Sequence, residues 1–375
     1  MSKKEHHSEE HIENCDKYKA LNVNKGIPAP PAVNPNILER LKRAKRKSYT
    51  AEQFVEGIFK GDINLLSQAI TMVESSKPEH QEMAQQIIEK CLPKSGRSIR
   101  LGITGVPGAG KSTFIESFGK YLCADNHKVA VLAIDPSSER SKGSILGDKT
   151  RMEELCNHPN AFVRPSPSAG TLGGVARKTR ESMILCEAAG FDMIIIETVG
   201  VGQSETAVKS MVDFFLLLKI AGAGDELQGI KRGIMEMADA IAINKADGSN
   251  VEKAQLAKAQ FQNALHLFPA HESGWDPKVL LCSAIEDRGI PEIWECIKEY
   301  VENTNKSNFF ETNRREQAKY WMYETVNERL KNDFYNNIEI KKILKDTENN
   351  VLEDKISSFI AAHKLLDEYY NNIDK

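Results

Sequence analysis

Long apolar runs are missing from this chain of 375 residues. The segment Phe214–Leu218, bounded by Asp213 and Lys219, falls far short of the ~20 residues that cross a bilayer, so no membrane role is expected. An excess of one charge is missing too. With 50 Lys and Arg against 53 Asp and Glu, the formal net charge is −3, and bulk electrostatics gives no reason to expect nucleic acid as a partner. The seven Cys form no C-x-x-C pair. An odd, scattered set argues against a disulfide framework. Cys123, Cys186 and Cys296 fall on apolar helix faces and Cys282 in a strand, which reads as buried free thiols in a reducing compartment, the cytoplasm. The first 35 residues lack an apolar core and contain no Arg, which predicts neither a signal peptide nor a mitochondrial transit peptide.

What the chain does contain is a complete phosphate loop. GVPGAGKS, Gly105 to Ser112, matches G-x-x-x-x-G-K-[ST] in full. An apolar strand, Ser98 to Thr104, precedes it, and an amphipathic helix, Thr113 to Cys123, follows. In that setting the backbone from Gly105 through Val106, Pro107, Gly108, Ala109 and Gly110 to Thr113 turns its N–H groups toward one point, and the positive helix end adds to their pull on phosphate. Lys111 is placed to bridge the β- and γ-phosphates, and Ser112 to offer a hydroxyl to Mg²⁺.

A second signal selects the base. NKAD, Asn244 to Asp247, follows the short apolar strand Asp239 to Ile243. In an α/β sheet such strand ends hold the ligand. The Asp247 carboxylate can accept both the N1–H and the 2-amino group of guanine, a donor pair adenine lacks. Asn244 is read as the brace of the loop and the Lys245 stem as a cover for the base. Val279 to Cys282 reads as a further strand, and Ser283, Ala284 and Ile285 follow where backbone N–H groups could meet guanine O6.

Acids complete the set. Asp135 ends the strand Lys128 to Ile134, and Glu197 ends the strand Met193 to Ile196. Both lie where parallel strands deliver side chains to a phosphate site. Asp148, in GDKTRM, sits in the connection after Asp135. Hard carboxylate oxygens suit Mg²⁺, so Ser112, Asp135, Asp148 and Glu197 form the candidate metal set. Lys111, Asp135, Asp148 and Glu197 form the candidate catalytic set. The longer arm of Glu197 suggests contact through a water or a hand in placing the attacking one.

Alternating strands and helices over 98–303 predict a P-loop α/β fold, a mostly parallel sheet covered by helices on both faces. Residues 1–35 read as a polar, disordered tail and linker ending in the stiff IPAPPAVNP. Residues 36–97 read as helical: Asn36–Lys47, Ala51–Lys60, Asp62–Glu74 with Asp62 as N-cap, and Pro78–Cys91. Pro165–Gly174 and Gly222–Gly233 read as long, functional loops. Residues 304–375 read as a helical arm. Along it Ala318, Trp321, Met322, Thr325, Val326, Leu330 and Phe334 recur at spacings of three and four, one apolar stripe that points to a homodimer contact.

The longer motifs AIDPSS (Ala133–Ser138), ILGDKTRM (Ile145–Met152), RPSPSAGTLGG (Arg164–Gly174), ETVGVGQSE (Glu197–Glu205) and GAGDELQGIK (Gly222–Lys231) closely resemble the MeaB/ArgK family of P-loop GTPases, from about Tyr49 to Leu330. The resemblance implies a GTP/GDP- and Mg²⁺-binding chaperone of an adenosylcobalamin-dependent acyl-CoA mutase of the methylmalonyl-CoA type. Such a chaperone gates cofactor loading and protects or reactivates the mutase, and it dimerises through C-terminal helices. It also implies that Asp135, Asp148 and Glu197 are the metal and catalytic acids. The nucleotide-responsive loops implied are Asp135–Arg151, Glu197–Lys209 and Gly222–Gly233. The alternative is a metallochaperone GTPase of nickel-enzyme maturation. That function needs a Cys/His site near those loops, whereas the His/Cys cluster here, His6, His7, His11 and Cys15, lies in the tail.

Calorimetry on the purified chain should find GTP bound and ATP weaker by about 10⁴-fold, the discrimination expected when a buried carboxylate loses its donor pair. Equal uptake of the two nucleotides would remove Asp247 from the base-reading role.

Overall fold

The computed structural model describes residues 49–135, 152–167, 172–198, 204–222 and 232–373. The helix expected at Asn36–Lys47, Asp148 and most of the Gly222–Gly233 segment lie outside them. Three helices come first: α1 (Ala51–Phe59), α2 (Ile63–Glu74) and α3 (Pro78–Cys91). Their starts are written locally. The Thr50 hydroxyl accepts the Gln53 N–H while the Gln53 side chain accepts the Thr50 N–H, a capping box. The Asp62 carboxylate accepts the N–H groups of Asn64 and Leu65, as expected of an N-cap. Pro78 opens α3, where its missing N–H costs nothing.

The alternating region follows: β1 (Ile99–Gly105), α4 (Lys111–Ala124), β2 (Val129–Asp135), a single turn α5 (Glu153–Cys156), β3 (Ala161–Pro167), α6 (Leu172–Ala188), β4 (Met193–Thr198), α7 (Ser204–Lys209), β5 (Phe214–Ile220), α8 (Arg232–Met237), β6 (Ala240–Asn244), α9 (Val251–Leu265), β7 (Lys278–Leu281) and α10 (Ile290–Lys306). The seven strands pair in the order β3-β2-β4-β1-β5-β6-β7, and every pairing is parallel. A parallel sheet must be covered on both faces. The central strands accordingly carry unbroken apolar runs: Ile194, Ile195 and Ile196 in β4 and Phe214, Phe215 and Leu216 in β5 are fully buried. Each such side chain contributes about 1.5–3 kcal/mol on leaving water. Cys123, Cys186, Cys282 and Cys296 are buried free thiols, as expected, and burial pushes the Cys282 thiol up to about 12, which leaves it unreactive. Among the described residues no helix is long and apolar enough to cross a membrane.

One strand was not legible. The stretch Pro165–Gly174, expected to be a loop, begins inside β3, where Pro165 and Pro167 pair in register with Ala133 and Asp135. Prolines are tolerated there because β3 is an edge strand, with β2 on one side only. The Arg164 side chain ties that edge to α2 through both Glu74 oxygens and the hydroxyls of Ser67 and Thr71.

The C-terminal arm consists of α11 (Phe309–Asn336), α12 (Ile338–Leu352) and α13 (Ser358–Ile373). The expected single stripe on α11 splits in two. Trp321 is buried and its indole N–H donates to the Ser210 carbonyl at 3.1 Å, while Gln317 donates to the Val212 carbonyl at 2.8 Å. Met322, Val326 and Leu330 are exposed. Spacings of three and four spread over several turns drift around a helix of 3.6 residues per turn, so one list of residues serves two faces.

Arg314 fastens α11 to the amino ends of the strands. Its guanidinium donates to both Asp213 oxygens at 2.7 Å and to the carbonyls of Gly96 and Ser98 at 2.5 and 2.6 Å. Asp213 is buried and also accepts the Arg100 N–H at 2.8 Å. Arg314→Ala strands that carboxylate without its cation and should cost about 3–5 kcal/mol in urea unfolding. Nucleotide affinity should be unchanged, because the latch is at the amino ends of the strands and the phosphate loop at their carboxyl ends.

Candidate nucleotide-binding site

β1 is the middle strand of the sheet and ends at Gly105, in register with Leu218 of β5. The loop must pass this point closely. A Cβ on Gly105 would lie 2.4 Å from the Leu218 carbonyl oxygen. At the far end Gly110 takes φ +84°, and a Cβ there would lie 2.7 Å from Nδ2 of Asn244. Gly110 is also the N-cap of α4, and no side chain caps that helix. The first-turn N–H groups of Lys111, Ser112 and Thr113 are thus presented to a ligand rather than spent on a cap. Val106, Pro107 and Gly108 lie at the surface, and Ala109 is buried beneath them.

Lys111 is nearly buried. Burial pulls its ammonium down, against the upward pull of Glu197 and Glu205, and burial prevails. Its Nζ donates to the Gly105 carbonyl at 2.8 Å and to that of Val106 at 3.4 Å, so the charge lies inside the curl of the loop. An ammonium has three donors, which leaves one for a phosphate oxygen.

Glu197 stands on β4 beside Ile103 of β1 and Ala133 of β2. The Ser112 hydroxyl donates to its Oε1 at 3.3 Å. Two oxygens on adjacent corners of a Mg²⁺ octahedron, with ligands at ~2.1 Å, are about 3.0 Å apart, so this hydroxyl–carboxylate pair fits the hard cation. Next to it the hydroxyl of Thr198 donates to that of Thr104 at 2.8 Å, fastening β4 to β1 at this rim. The backbone of Asp135 ends β2 on the same side of the sheet. Its carboxylate, like the whole of Asp148, lies outside the described residues.

The base-reading residues arrive on β6 and after β7. Asn244 is buried, and its side chain works in two directions: Nδ2 donates to the Ala109 carbonyl at 2.9 Å, and Oδ1 accepts the Ala284 N–H at 3.1 Å. Lys245 adopts φ +57° and its stem passes Gly110. The half-buried Asp247 accepts the Ser283 hydroxyl at 2.5 Å through Oδ2. Of the three N–H groups assigned to guanine O6, two are already engaged: that of Ser283 with the Arg288 carbonyl and that of Ala284 with Asn244. Ser283 instead enters through its hydroxyl, and the N–H of the exposed Ile285 is the one without a partner among the described residues. Sequence reasoning missed Arg288, whose guanidinium donates to the Ala246 carbonyl at 3.0 Å, and also Ser117 and Asp287, which hydrogen-bond at 2.5 Å. For Asp287 and Arg288 the only cue was their position just beyond Ser283–Ala284, and Ser117, on α4, offered none.

The geometry therefore brings Gly105–Thr113, Glu197, Asn244–Asp247 and Ser283–Ile285 to one rim, at the carboxyl ends of the strands. Among the described residues no group of three or more His, Cys, Asp or Glu is placed to hold a metal ion.

Comparison with known proteins extends this. The family model described as methylmalonyl-CoA mutase-associated GTPase MeaB matches residues 66–339. The chain is 46% identical over 322 residues to the GTPase ArgK of Escherichia coli, covering 84% of this chain and 97% of that protein. It is 44% identical over 325 residues to the mouse protein called methylmalonic aciduria type A homolog, mitochondrial, covering 84% and 78% of the two. A crystal structure described as an LAO/AO transport system kinase superposes with a TM-score of 0.69 at 38% identity, covering 86% of this chain and 98% of that one.

Gly110→Ala places a methyl group against the Asn244 amide and forces a left-handed backbone onto alanine. GTP and GDP binding should drop below detection in calorimetry, with the unfolding midpoint lowered only by the roughly 1–2 kcal/mol of a left-handed alanine.

Proposed function

The chain belongs to the MeaB family of methylmalonyl-CoA mutase-associated GTPases, and on that premise we propose that its GTP hydrolysis serves an adenosylcobalamin-dependent acyl-CoA mutase, gating cofactor loading and protecting or reactivating the enzyme. The family match carries the GTPase activity and the link to the mutase. The gating and the reactivation are what the resemblance to that family implies, and we propose them on that ground.

In that reading the triphosphate lies across the first turn of α4. The Lys111 ammonium reaches the β- and γ-phosphate oxygens with the donor that the Gly105 and Val106 carbonyls leave over. The N–H groups of Gly110 to Thr113 take the remaining oxygens. Asp247 accepts N1–H and the 2-amino group of guanine, Ile285 N–H faces O6, and the Lys245 stem covers the ring. Mg²⁺ would be held by the Ser112 hydroxyl with Glu197, Asp135 and Asp148 around it, and when bound it supplies charge neutralisation at the β- and γ-oxygens. Glu197, reaching in from β4, orients the attacking water. Most of the rate comes from positioning and charge rather than covalent chemistry. No Gln stands directly after Gly200, the place of the water-positioning Gln in Ras-type proteins, and Gln203 comes three residues later. Turnover by the chain alone is therefore slow, and the mutase accelerates it through the nucleotide-responsive segments Asp135–Arg151, Glu197–Lys209 and Gly222–Gly233.

We further infer a homodimer joined through the C-terminal arm. Its support is the exposed row Met322, Val326 and Leu330 on α11 and the apolar cleft between α11, α12 and α13 lined by Phe334, Leu344, Val351, Leu365 and Tyr369. We take residues 98–303 as the nucleotide domain between the helical parts. The cytoplasm as its compartment fits the free cysteines.

GTP turnover measured with and without a purified methylmalonyl-CoA-type mutase tests the proposal. The expected result is a slow basal rate raised at least about tenfold by the mutase, within the range of partner-driven activation of GTPases. In Glu197→Ala kcat should fall by about 10²-fold, with GDP affinity within a few-fold of wild type. A maximal rate in isolation, or an unaffected Glu197→Ala, would overturn the gating and the Glu197 assignment respectively.

A further inference from the structure

The turn from Ser283 to Gly289 continues from the base-reading residues Ser283–Ile285, and one of its residues takes an uncommon backbone conformation. Asp287 adopts φ +51°, a left-handed conformation that residues with a side chain seldom take, Asn and Asp being the usual exceptions. Something must hold it. Ser117, buried midway along α4, donates its hydroxyl to Asp287 Oδ1 at 2.5 Å. That helix begins in the phosphate loop. The next residue, Arg288, reaches the other way. Its backbone pairs with Ser283 through two hydrogen bonds of 2.9 and 3.1 Å, and its guanidinium holds the Ala246 carbonyl inside NKAD at 3.0 Å. At the start of the turn the Ser283 hydroxyl accepts the Glu286 N–H at 3.3 Å and donates to Asp247 Oδ2 at 2.5 Å.

These bonds form a chain. The direction of the Asp247 carboxylate depends on the Ser283 hydroxyl, the hydroxyl on the shape of the turn, and the turn on Asp287 and Ser117. A carboxylate that accepts two parallel hydrogen bonds from a purine must keep both oxygens in the plane of the ring. A tilt that spares one bond weakens the other.

We propose that Asp287, held by Ser117 of the phosphate-loop helix, is a positioning residue for guanine selection, which fixes the turn that aims the Asp247 carboxylate at the 2-amino edge of the base. The inference rests on the GTP-binding reading above and deepens it. Asp287 acts through Ser283 and Asp247. The same bond makes the phosphate helix and the base-reading turn one mechanical unit.

Inosine triphosphate isolates this effect, because it keeps N1–H and O6 and lacks only the 2-amino group. The experiment measures Kd for GTP and for ITP by calorimetry, kcat at saturating GTP, and the unfolding midpoint. It compares wild type with Ser117→Ala, Asp287→Ala and Asp287→Asn. Both alanine variants should lower the GTP-over-ITP affinity ratio by about tenfold, the value of one weakened charge-assisted hydrogen bond, with kcat at saturation within about twofold. Asp287→Asn keeps an acceptor for Ser117 and tolerates the left-handed backbone, so it should restore the wild-type ratio. A merely structural role would lower the unfolding midpoint and leave the ratio alone, and that result would overturn the inference. Parallel loss of GTP and ITP affinity would overturn it too. Should Asp287→Ala fail to fold, Ser117→Ala decides alone, since alanine suits a helix interior. A wild-type chain that binds GTP and ITP alike would overturn the guanine reading itself and this inference with it, a failure distinguishable from variants that keep a wild-type preference.

Discussion

The side-chain amide of Asn244 is buried at the end of β6, and both of its ends are in use. Its NH₂ holds the Ala109 carbonyl of the phosphate loop, and its oxygen holds the Ala284 N–H beyond β7. The loops it joins grow from β1 and β7, with β5 and β6 between them. A nucleotide bound in one conformation sets one distance between its phosphates and its base. A protein that grips both must hold its two loops at that spacing before the ligand arrives. Otherwise ordering the loops would consume binding energy. A buried amide with a donor and an acceptor on one planar group does this at a fixed length, and Gly110 is shaped around it, since no Cβ fits between that position and Nδ2. The hydroxyl–carboxylate bond from Ser117 to Asp287 repeats the strategy one layer further out.

The two ends of the strands use charge differently. At the amino ends of the strands, Glu187 takes the guanidinium of Arg100 and the hydroxyl of Ser98, while Asp213 takes Arg314. Burial pushes the Glu187 carboxyl up, but hydrogen bonds and charge from Arg100, with Ser98 and the Gly96 N–H, outweigh it and hold it below the usual carboxylate range. The perturbed carboxyl belongs to architecture, and a third guanidinium, Arg180, is pulled down to about 10 by burial and by the nearby Arg100 and Arg314. At the carboxyl ends, Lys111 is set among loop carbonyls and uncapped N–H groups. The ammonium there faces Glu197 and Glu205, and the uncapped N–H groups add the positive character that a triphosphate site requires. Perturbed ionisation alone would not separate these two ends; what separates them is that Glu187 and Asp213 are each held by a guanidinium, whereas the first-turn N–H groups of α4 have no side-chain cap.

Much of the site was legible because its chemistry is local. A phosphate loop needs Gly105, Gly110, Lys111 and Ser112 at set spacings within a single strand–loop–helix unit, and NKAD needs only a strand before it. The acid pattern was legible at Glu197 for the same reason. Strand β3 was not, because the prolines of Arg164–Pro167 speak for a loop unless the strand is known to be an edge, and edge position is a property of the whole sheet. The stripe on α11 was half legible. Its spacing showed an apolar surface, but whether a given turn faces the domain or the exterior depends on the angle at which Arg314, Gln317 and Trp321 seat the helix.

The amino-acid order by itself determined the nucleotide class and the P-loop architecture, since both follow from short motifs whose geometry is set by neighbours in the chain. Contacts between segments far apart in sequence decided the rest. They placed Asn244 between the phosphate loop and Ala284, turned Ser283 from a backbone donor into the hydroxyl that steadies Asp247, and brought Ser117 to Asp287. Such hydrogen bonds have no sequence signature, because their partners meet only after the parallel strands have aligned and the helices have packed on their faces.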